Sequence, residues 1–487
     1  MSSPSPDHFD LVVIGAGPAG EKGAAQAAYF GKKVCIIERA PKPGGAAVNT
    51  GTIPSKTLRE TALYFSGFRQ RGLYGVDLRV KHNITIGDFM QRERAVVETT
   101  WALIDENLKR HNVTVVQGSA KVVDPKTVAI TRYGRDTRTI TGDVILLATG
   151  SHPQQPTDIA VDGSLIVDSD SLLTLQRIPA RMVVIGGGVI GCEYACIFAA
   201  LGVKVTIINS KSRLLAHLDA EVGEALRRQI TARLGISVHV NVEVTGIAIE
   251  GEHARVDLSD GTSVHSDVVL YSAGRVGNTD GLGLAEVGVR CNQRGYVQVD
   301  KHFRTAVPSI YAAGDVIGFP ALASTAMEQA RVAVCHAFDL RYKQQVSPVL
   351  PYGVWTIPEI AMVGETEDGL MTRRIPYEVG RSTYRTNARG QILGDTDGFV
   401  KLLFSPGDQK VLGVSIVGEG ACELIHLAAS VMTFGGTIDY FIQGVFNFPA
   451  LSDAYKYAAY DGLQALARTR GRSPGLPATG EQRAVKT

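Results

Sequence analysis

Two glycine clusters, Gly15-Ala-Gly17-Pro-Ala-Gly20 and Gly186-Gly-Gly188-Val-Ile-Gly191, are where residue type and spacing in this chain point to chemistry. In such a cluster the first glycine permits a tight turn, the second lets backbone N–H groups approach a pyrophosphate, and the third lets helix and strand pack closely. The helix that follows offers the partial positive charge of its N-terminus, worth about 0.3–1 kcal/mol per anionic group. Glu38 lies 18 residues past Gly20, where a carboxylate accepts hydrogen bonds from ribose hydroxyls. The second copy has Asn209 in that place, followed by Ser-Lys211-Ser-Arg213. A carboxylate there would repel a 2′-phosphate; asparagine is indifferent to it, and Lys211 or Arg213 can pair with it. Two dinucleotide sites on one chain imply a donor and an acceptor of hydride. The simplest assignment is FAD at the first site and NAD or NADP, both accepted, at the second.

These residues need strands and helices to hold them, and the sequence repeats the required unit. Phe9-Asp-Leu-Val-Val-Ile14 reads as a buried strand, residues after the first glycine cluster to about Phe30 as a small-residue helix, and Lys33-Val-Cys-Ile-Ile-Glu38 as a second strand. Some 171 residues later the order returns: Met182-Val-Val-Ile185, the second cluster, a helix to about Leu201, and Lys204-Val-Thr-Ile-Ile208. Such alternation builds parallel sheets, so the predicted fold class is α/β with two Rossmann-like dinucleotide-binding domains. From about Val346, alternating strands and a long helix at Ala421–Met432 read as a separate α+β domain. The expected division is 1–155 for the first part of the FAD-binding domain, 156–280 for the NAD(P)-binding domain and 281–345 for the second part of the FAD-binding domain. A C-terminal domain over 346–467 and a disordered tail over 468–487 complete it.

At 487 residues the chain is too long for one compact core. Fifty Lys+Arg stand against 48 Asp+Glu, and Arg468–Thr487 alone carries five basic residues and one acid. The body is therefore near −2, which lacks the electrostatic footprint of a nucleic-acid binder. Six cysteines lie scattered with no CxxC, which argues against a disulfide framework or a metal site and fits a reducing compartment. Met182–Val203 is almost wholly apolar, yet it holds Glu193 and five glycines, so it reads as strand, turn and buried helix rather than a membrane span. With no basic segment at the N-terminus, the expected location is cytoplasmic. Trp101 and Trp355 give no cofactor signal.

Taken together, Gly15-x-Gly-x-x-Gly20 with Glu38, Gly44-Gly45-x5-Gly51-Thr-Ile-Pro-Ser-Lys56, Ala148-Thr149-Gly150, the Gly186 turn, Ala273-Gly274-Arg275 and Tyr311-Ala-Ala-Gly-Asp315 resemble the flavoprotein disulfide reductases. That family contains dihydrolipoamide dehydrogenase and glutathione reductase, and the resemblance covers roughly residues 8–466. It implies a glutathione-reductase-like arrangement, a C-terminal dimerisation domain and a homodimer. It also implies that Gly15, Gly17, Gly20, Glu38, Gly45, Lys56, Thr149, Gly150 and Asp315 hold FAD. Gly186, Gly188, Gly191, Asn209 and Gly274 would hold the nicotinamide nucleotide. Lys56 and Glu193 would stand beside flavin and nicotinamide as a catalytic ion pair.

Two departures from the family pattern bear on function. The family's redox disulfide uses two cysteines spaced Cys-x4-Cys before Pro-Ser-Lys; here Ala47 and Thr52 stand there, and neither forms a thiolate. The family's His-Pro-x3-Glu couple is Phe448-Pro449-Ala-Leu-Ser-Asp453, and Phe448 cannot take a proton. Within the family, Asp168-Ser-Asp170-Ser171, Gly274-Arg-Val-Gly-Asn-Thr-Asp280 and Phe446-Asn-Phe-Pro449 look like the soluble pyridine nucleotide transhydrogenases. The expected activity is hydride transfer between NADPH and NAD+ through FAD, with no nucleic-acid or membrane partner. The alternative is an NAD(P)H oxidase, a quinone reductase or a flavin dehydrogenase acting on a small organic substrate, for which Ala47 and Ala450 would open space.

Overall fold

The computed structural model describes residues 7–68, 73–74, 84–132, 136–156 and 159–469. The chain begins β1 (Asp7–Ile14), α1 (Pro18–Tyr29), β2 (Val34–Glu38), α2 (Gly45–Asn49), α3 (Thr52–Ser66) and α4 (Ile86–Arg110). Strands β3 (Thr114–Gln117), β4 (Ser119–Asp124), β5 (Thr127–Arg132) and β6 (Asp136–Leu147) follow. They form a sheet in the order β3-β2-β1-β6-β5-β4, in which β3, β2, β1 and β6 run parallel. Alternate residues of β1 point to opposite faces, and both faces are covered. Leu11 and Val13 pack with Ala24 and Ala27 of α1, while Val12 packs with Val128 and Ile130 of β5. Burial on both sides explains why β1 reads as an unbroken apolar run.

A second sheet follows. In chain order the elements here are β7 (Ser151–Pro153), β8 (Ile166–Val167), β9 (Arg181–Ile185), α5 (Val189–Ala200), β10 (Lys204–Asn209), α6 (Ala220–Leu234) and β11 (Ser237–Val240). An antiparallel ribbon of β12 (Val244–Glu250), β13 (His253–Leu258) and β14 (Ser263–Ser266) then leads to β15 (Val268–Tyr271). The sheet order is β11-β10-β9-β15-β8, all parallel. In both sheets the strand order reverses at the strand that feeds a glycine cluster, which is where open α/β sheets bind ligands. Next, β16 (Arg275–Gly277) pairs with β7, β17 (Ile310–Ala312) returns to pair with β6, and α7 (Ala323–Ala337) packs on α1.

The chain divides into two compact units: 1–68, 77–211 and 236–348 form one, and 69–76, 212–235 and 349–487 the other. The second unit contains β18 (Tyr352–Val354), β19 (Ile360–Gly364), α8 (Glu367–Thr372), β20 (Glu378–Thr383), α9 (Ala388–Leu393), β21 (Phe399–Phe404) and β22 (Val411–Val417). Helices α10 (Ala421–Thr433), α11 (Asp439–Gln443) and α12 (Ala454–Thr469) complete it. Its sheet is antiparallel, β18-β19-β22-β21-β20, and Tyr384, Phe404, Phe441 and Tyr455 fill the core beside it. Although α6 follows β10 in the chain, it belongs to this second unit. Asp219 caps α6 by accepting from the Glu221 N–H at 3.0 Å, and it also binds Lys401 Nζ of β21 at 2.8 Å, with both side chains 1% exposed. Helix α12 continues to Thr469, and the rest of the tail expected from 468 lies outside the described residues. Among the described residues no helix is long and apolar enough to cross a membrane.

Candidate active site

Both glycine clusters fold as the same turn. Gly15 has φ +102° and Gly186 φ +112°, and a Cβ would stand 2.5 Å from Ala148 O at the first and 2.7 Å from Ser272 O at the second. Only glycine meets both demands. A Cβ on Gly20 or Gly191 would lie 1.8 or 2.0 Å from the carbonyl oxygen of Gly15 or Gly186, so the third glycine sets the helix-to-strand distance. Gly17 and Gly188 are the N-caps of α1 and α5 and supply no side-chain cap, which leaves first-turn N–H groups for an anion. Gly45 crosses the first turn, where its Cβ would meet Gly17 Cα at 2.8 Å, and a Cβ on Gly188 would face open space.

The acid position also repeats. Glu38 accepts from the Ala16 and Ala40 N–H groups, each at 2.7 Å, so its carboxylate stands across the turn. Asn209 accepts from the Gly187 N–H at 3.2 Å and donates to Lys211 O at 2.9 Å, taking the same place without charge. Lys211 is exposed. In the second unit, Arg213 pairs with Asp368 at 2.5 Å, so its guanidinium already has an acidic partner.

Topology brings the remaining first-site residues together. Gly15 follows β1, Thr149 and Gly150 follow β6, and Asp315 follows β17, the carboxyl ends of three neighbouring parallel strands. Asp315 Oδ2 accepts from Ser151 Oγ at 3.0 Å, and Ser151 Oγ accepts from Arg275 Nε at 2.8 Å. Gly274 holds Arg275 in place by accepting from the Gln154 N–H at 3.0 Å where β16 meets β7. The Thr149 hydroxyl is buried and has no hydrogen-bond partner among the described residues. An uncapped helix, an acceptor at Glu38, an orphaned hydroxyl and a carboxylate on one sheet edge fit a flavin dinucleotide.

Lys56 of α3 meets Glu193 of α5, with Nζ 2.7 Å from Oε2 and 3.0 Å from Oε1. Glu193 is 4% exposed, and a carboxylate that deep requires a cation and further donors. Ser55 supplies a hydroxyl 3.5 Å from Glu193 Oε2 and accepts from Lys56 Nζ at 3.2 Å. Ala47 lies on α2 and Thr52 opens α3. All six cysteines are free. Burial pushes the Cys35 thiol up to about 12 and raises Cys192 well above the usual thiol range, with Cys196 and Glu193 adding to the effect at Cys192.

Sequence reasoning did not single out Ser55, Ser151, Glu93 or Tyr194. Ser55 lies inside the Gly51-Thr-Ile-Pro-Ser-Lys56 motif and Ser151 follows Ala148-Thr149-Gly150, and those positions are the signal that points to them. Glu93 and Tyr194 depend on how two helices pack. Phe89 of α4 meets Phe198 of α5 edge-on at 6.1 Å, and one turn along each helix Glu93 comes into electrostatic range of Tyr194. The Tyr194 hydroxyl is buried without a partner among the described residues. Burial raises the Glu93 carboxyl, partly offset by Arg94. A carboxyl raised on folding lowers stability as pH climbs through the ordinary carboxylate range, because the unfolded chain releases its proton first. Glu93→Gln is therefore expected to gain on the parent from about pH 4.3 upward and to level off above the raised value. Melting temperatures measured across that range check this, and a gap identical at every pH overturns it.

Residues 9–330 match the family described as pyridine nucleotide-disulphide oxidoreductase, and residues 350–459 match that family's dimerisation domain. The chain is 44% identical over 459 residues to a soluble pyridine nucleotide transhydrogenase of Mycobacterium tuberculosis, covering 94% of this chain and 98% of the relative. It is 38% identical over 461 residues to the soluble pyridine nucleotide transhydrogenase of Colwellia psychrerythraea, covering 94% and 98%. Among solved structures it is similar to LpdA from Mycobacterium tuberculosis, with a TM-score of 0.86 at 29% identity over 93% of this chain and 99% of that one. The HOCl-induced flavoprotein disulfide reductase RclA from Escherichia coli superimposes with a TM-score of 0.83 at 26% identity over 93% and 99%.

Proposed function

The chain belongs to the pyridine nucleotide-disulphide oxidoreductase family, and on that footing we propose that it is an FAD-dependent enzyme transferring hydride between NADPH and NAD+. Bound FAD would supply the two-electron chemistry, taking hydride from one nicotinamide nucleotide and returning it to another. The α1 N-terminus and Glu38 would hold the pyrophosphate and ribose of FAD, and Asp315, oriented by Ser151, its ribityl chain. The α5 N-terminus would hold the pyrophosphate of the nicotinamide nucleotide. Neutral Asn209 leaves room for either a ribose hydroxyl or a 2′-phosphate, as an enzyme serving both nucleotides requires.

The observation that carries this reading is the Lys56–Glu193 pair. It joins a helix of the first nucleotide unit to the helix of the second glycine cluster, in a chain with Ala47 and Thr52 where the family's redox cysteines stand. With no thiol at either position, electrons have no sulfur relay to enter. The relatives named as soluble pyridine nucleotide transhydrogenases support the same substrates. A homodimer follows from the dimerisation-domain match and from Phe434, Val445 and Phe448, which are 88%, 97% and 78% exposed in the protomer. A cytoplasmic location accords with these features and with relatives described as soluble.

The test is anaerobic reduction of the purified yellow protein by NADPH, followed by mixing with NAD+, oxygen or a quinone. Rapid return of the yellow colour with NAD+ is the expected result. Negligible reoxidation by NAD+ alongside rapid reoxidation by oxygen or quinone overturns the proposal in favour of an oxidase or quinone reductase.

A further inference from the structure

Without a crosslink between positions 47 and 52, something else must hold the 45–52 segment. Helix α2 has only five residues, too few to persist on its own. Asn49 closes the segment on itself, its Nδ2 donating to Gly45 O at 2.9 Å and to Pro43 O at 3.2 Å. The remaining oxygen of that amide accepts from Trp101 Nε1 of α4 at 2.8 Å, and Lys42 Nζ stands 5.3 Å over the Trp101 ring. Helix α4 is a firm anchor: 25 residues long, with a capping box between Thr85 and Asp88. The Ser55 N–H then donates to Gly51 O at 2.9 Å, passing the fixed position of the segment into the first turn of α3, where Lys56 stands.

We propose that Trp101, through the Asn49 amide, forms a noncovalent clasp on the 45–52 segment, in place of a disulfide, and so acts as a positioning residue for Lys56. The role assigned to Lys56 rests on the functional reading above, but the clasp itself does not. A clasp of this kind holds the wall beside the flavin site rigid while placing no reducible group in it, so that electrons delivered to the site have no side acceptor in the segment.

Trp101→Phe removes the indole N–H and keeps an aromatic ring, and Trp101→Leu removes both. Each is expected to speed amide hydrogen exchange in residues 45–56 by roughly three- to ten-fold, the effect of losing one intramolecular hydrogen bond. Each should also lower kcat for NADPH oxidation by a similar factor with KM for NADPH unchanged. Adding Ala47→Cys and Thr52→Cys to Trp101→Phe, then oxidising, is expected to restore the slow exchange, and reducing the pair should abolish the rescue. Unchanged exchange in both single variants overturns the clasp. Faster exchange with unchanged kcat overturns the positioning role. Faster exchange in a protein whose parent shows no NADPH oxidation supports the clasp while refuting the functional reading, so the two failures are distinct.

Discussion

Lys56→Met is expected to slow anaerobic reduction of the bound flavin by NADPH by about a hundred- to a thousand-fold, the usual loss when one preorganised charge or donor is removed from a reaction centre. The side chain is 25% exposed and sits 2.7 Å from a carboxylate that is almost fully enclosed. Its charge is therefore fixed in direction before any nucleotide arrives and reorganises little during transfer. Removing it also leaves Glu193 as a buried charge that has lost its ion-pair partner, so the single variant mixes two effects. The pair Lys56→Met/Glu193→Gln separates them: stability is expected to recover in the double variant, while the reduction rate stays low. Stopped-flow rates with stoichiometric flavin in all three proteins decide the matter. A double variant that reduces at the parental rate would show that the ion pair is structural only.

The second large effect is on stability. Lys401→Met is expected to cost about 3–5 kcal/mol, the range for removing one partner of a buried ion pair. Lys401 Nζ lies 2.8 Å from Asp219 and 3.1 Å from Glu221 and also contacts Glu367, so three carboxylates share one ammonium group. Those three acids lie close enough together to suggest a cation site, but the lysine already supplies the positive charge there. Burial lowers the Lys401 pKa, yet its hydrogen bonds to Asp219 and Glu367 outweigh this and raise it overall. Its stabilisation is thus fully present below the ordinary lysine range and is lost only as pH climbs through the raised value. The triple variant Lys401→Met/Asp219→Asn/Glu367→Gln neutralises two of the three acids, leaves Glu221 to its Arg381 partner at 2.9 Å, and is expected to recover most of the loss. Chemical denaturation midpoints of the three proteins at neutral pH test this. An unchanged midpoint in Lys401→Met would mean that water, not protein, solvates those acids.

Some of the site was legible because its constraints are local. The first glycine of each turn needs a φ that other residues avoid, and the third needs room against the carbonyl of the first that a Cβ would fill, so both demands arise within six residues of chain. Glu38 and Asn209 follow from the length of one helix and one strand. The C-terminal unit was legible only in outline: alternation showed strands, but nothing in the spacing placed α6 with that unit, because the bond from Asp219 to Lys401 spans 182 residues.

What the sequence by itself determined is therefore the pair of dinucleotide turns, the neutral Asn209 in the second, and the absence of thiols at 47 and 52, since each is a matter of residue identity and short-range sterics. The tertiary structure decided which distant groups meet. Lys56 reaches Glu193 across 137 residues, Arg275 reaches Ser151 across 124, and Trp101, which carried no signal in the sequence, reaches Asn49 across 52. Contacts of that kind form only where buried polar groups must find partners once the sheets and helices have packed, and no local spacing records which partner lies within reach.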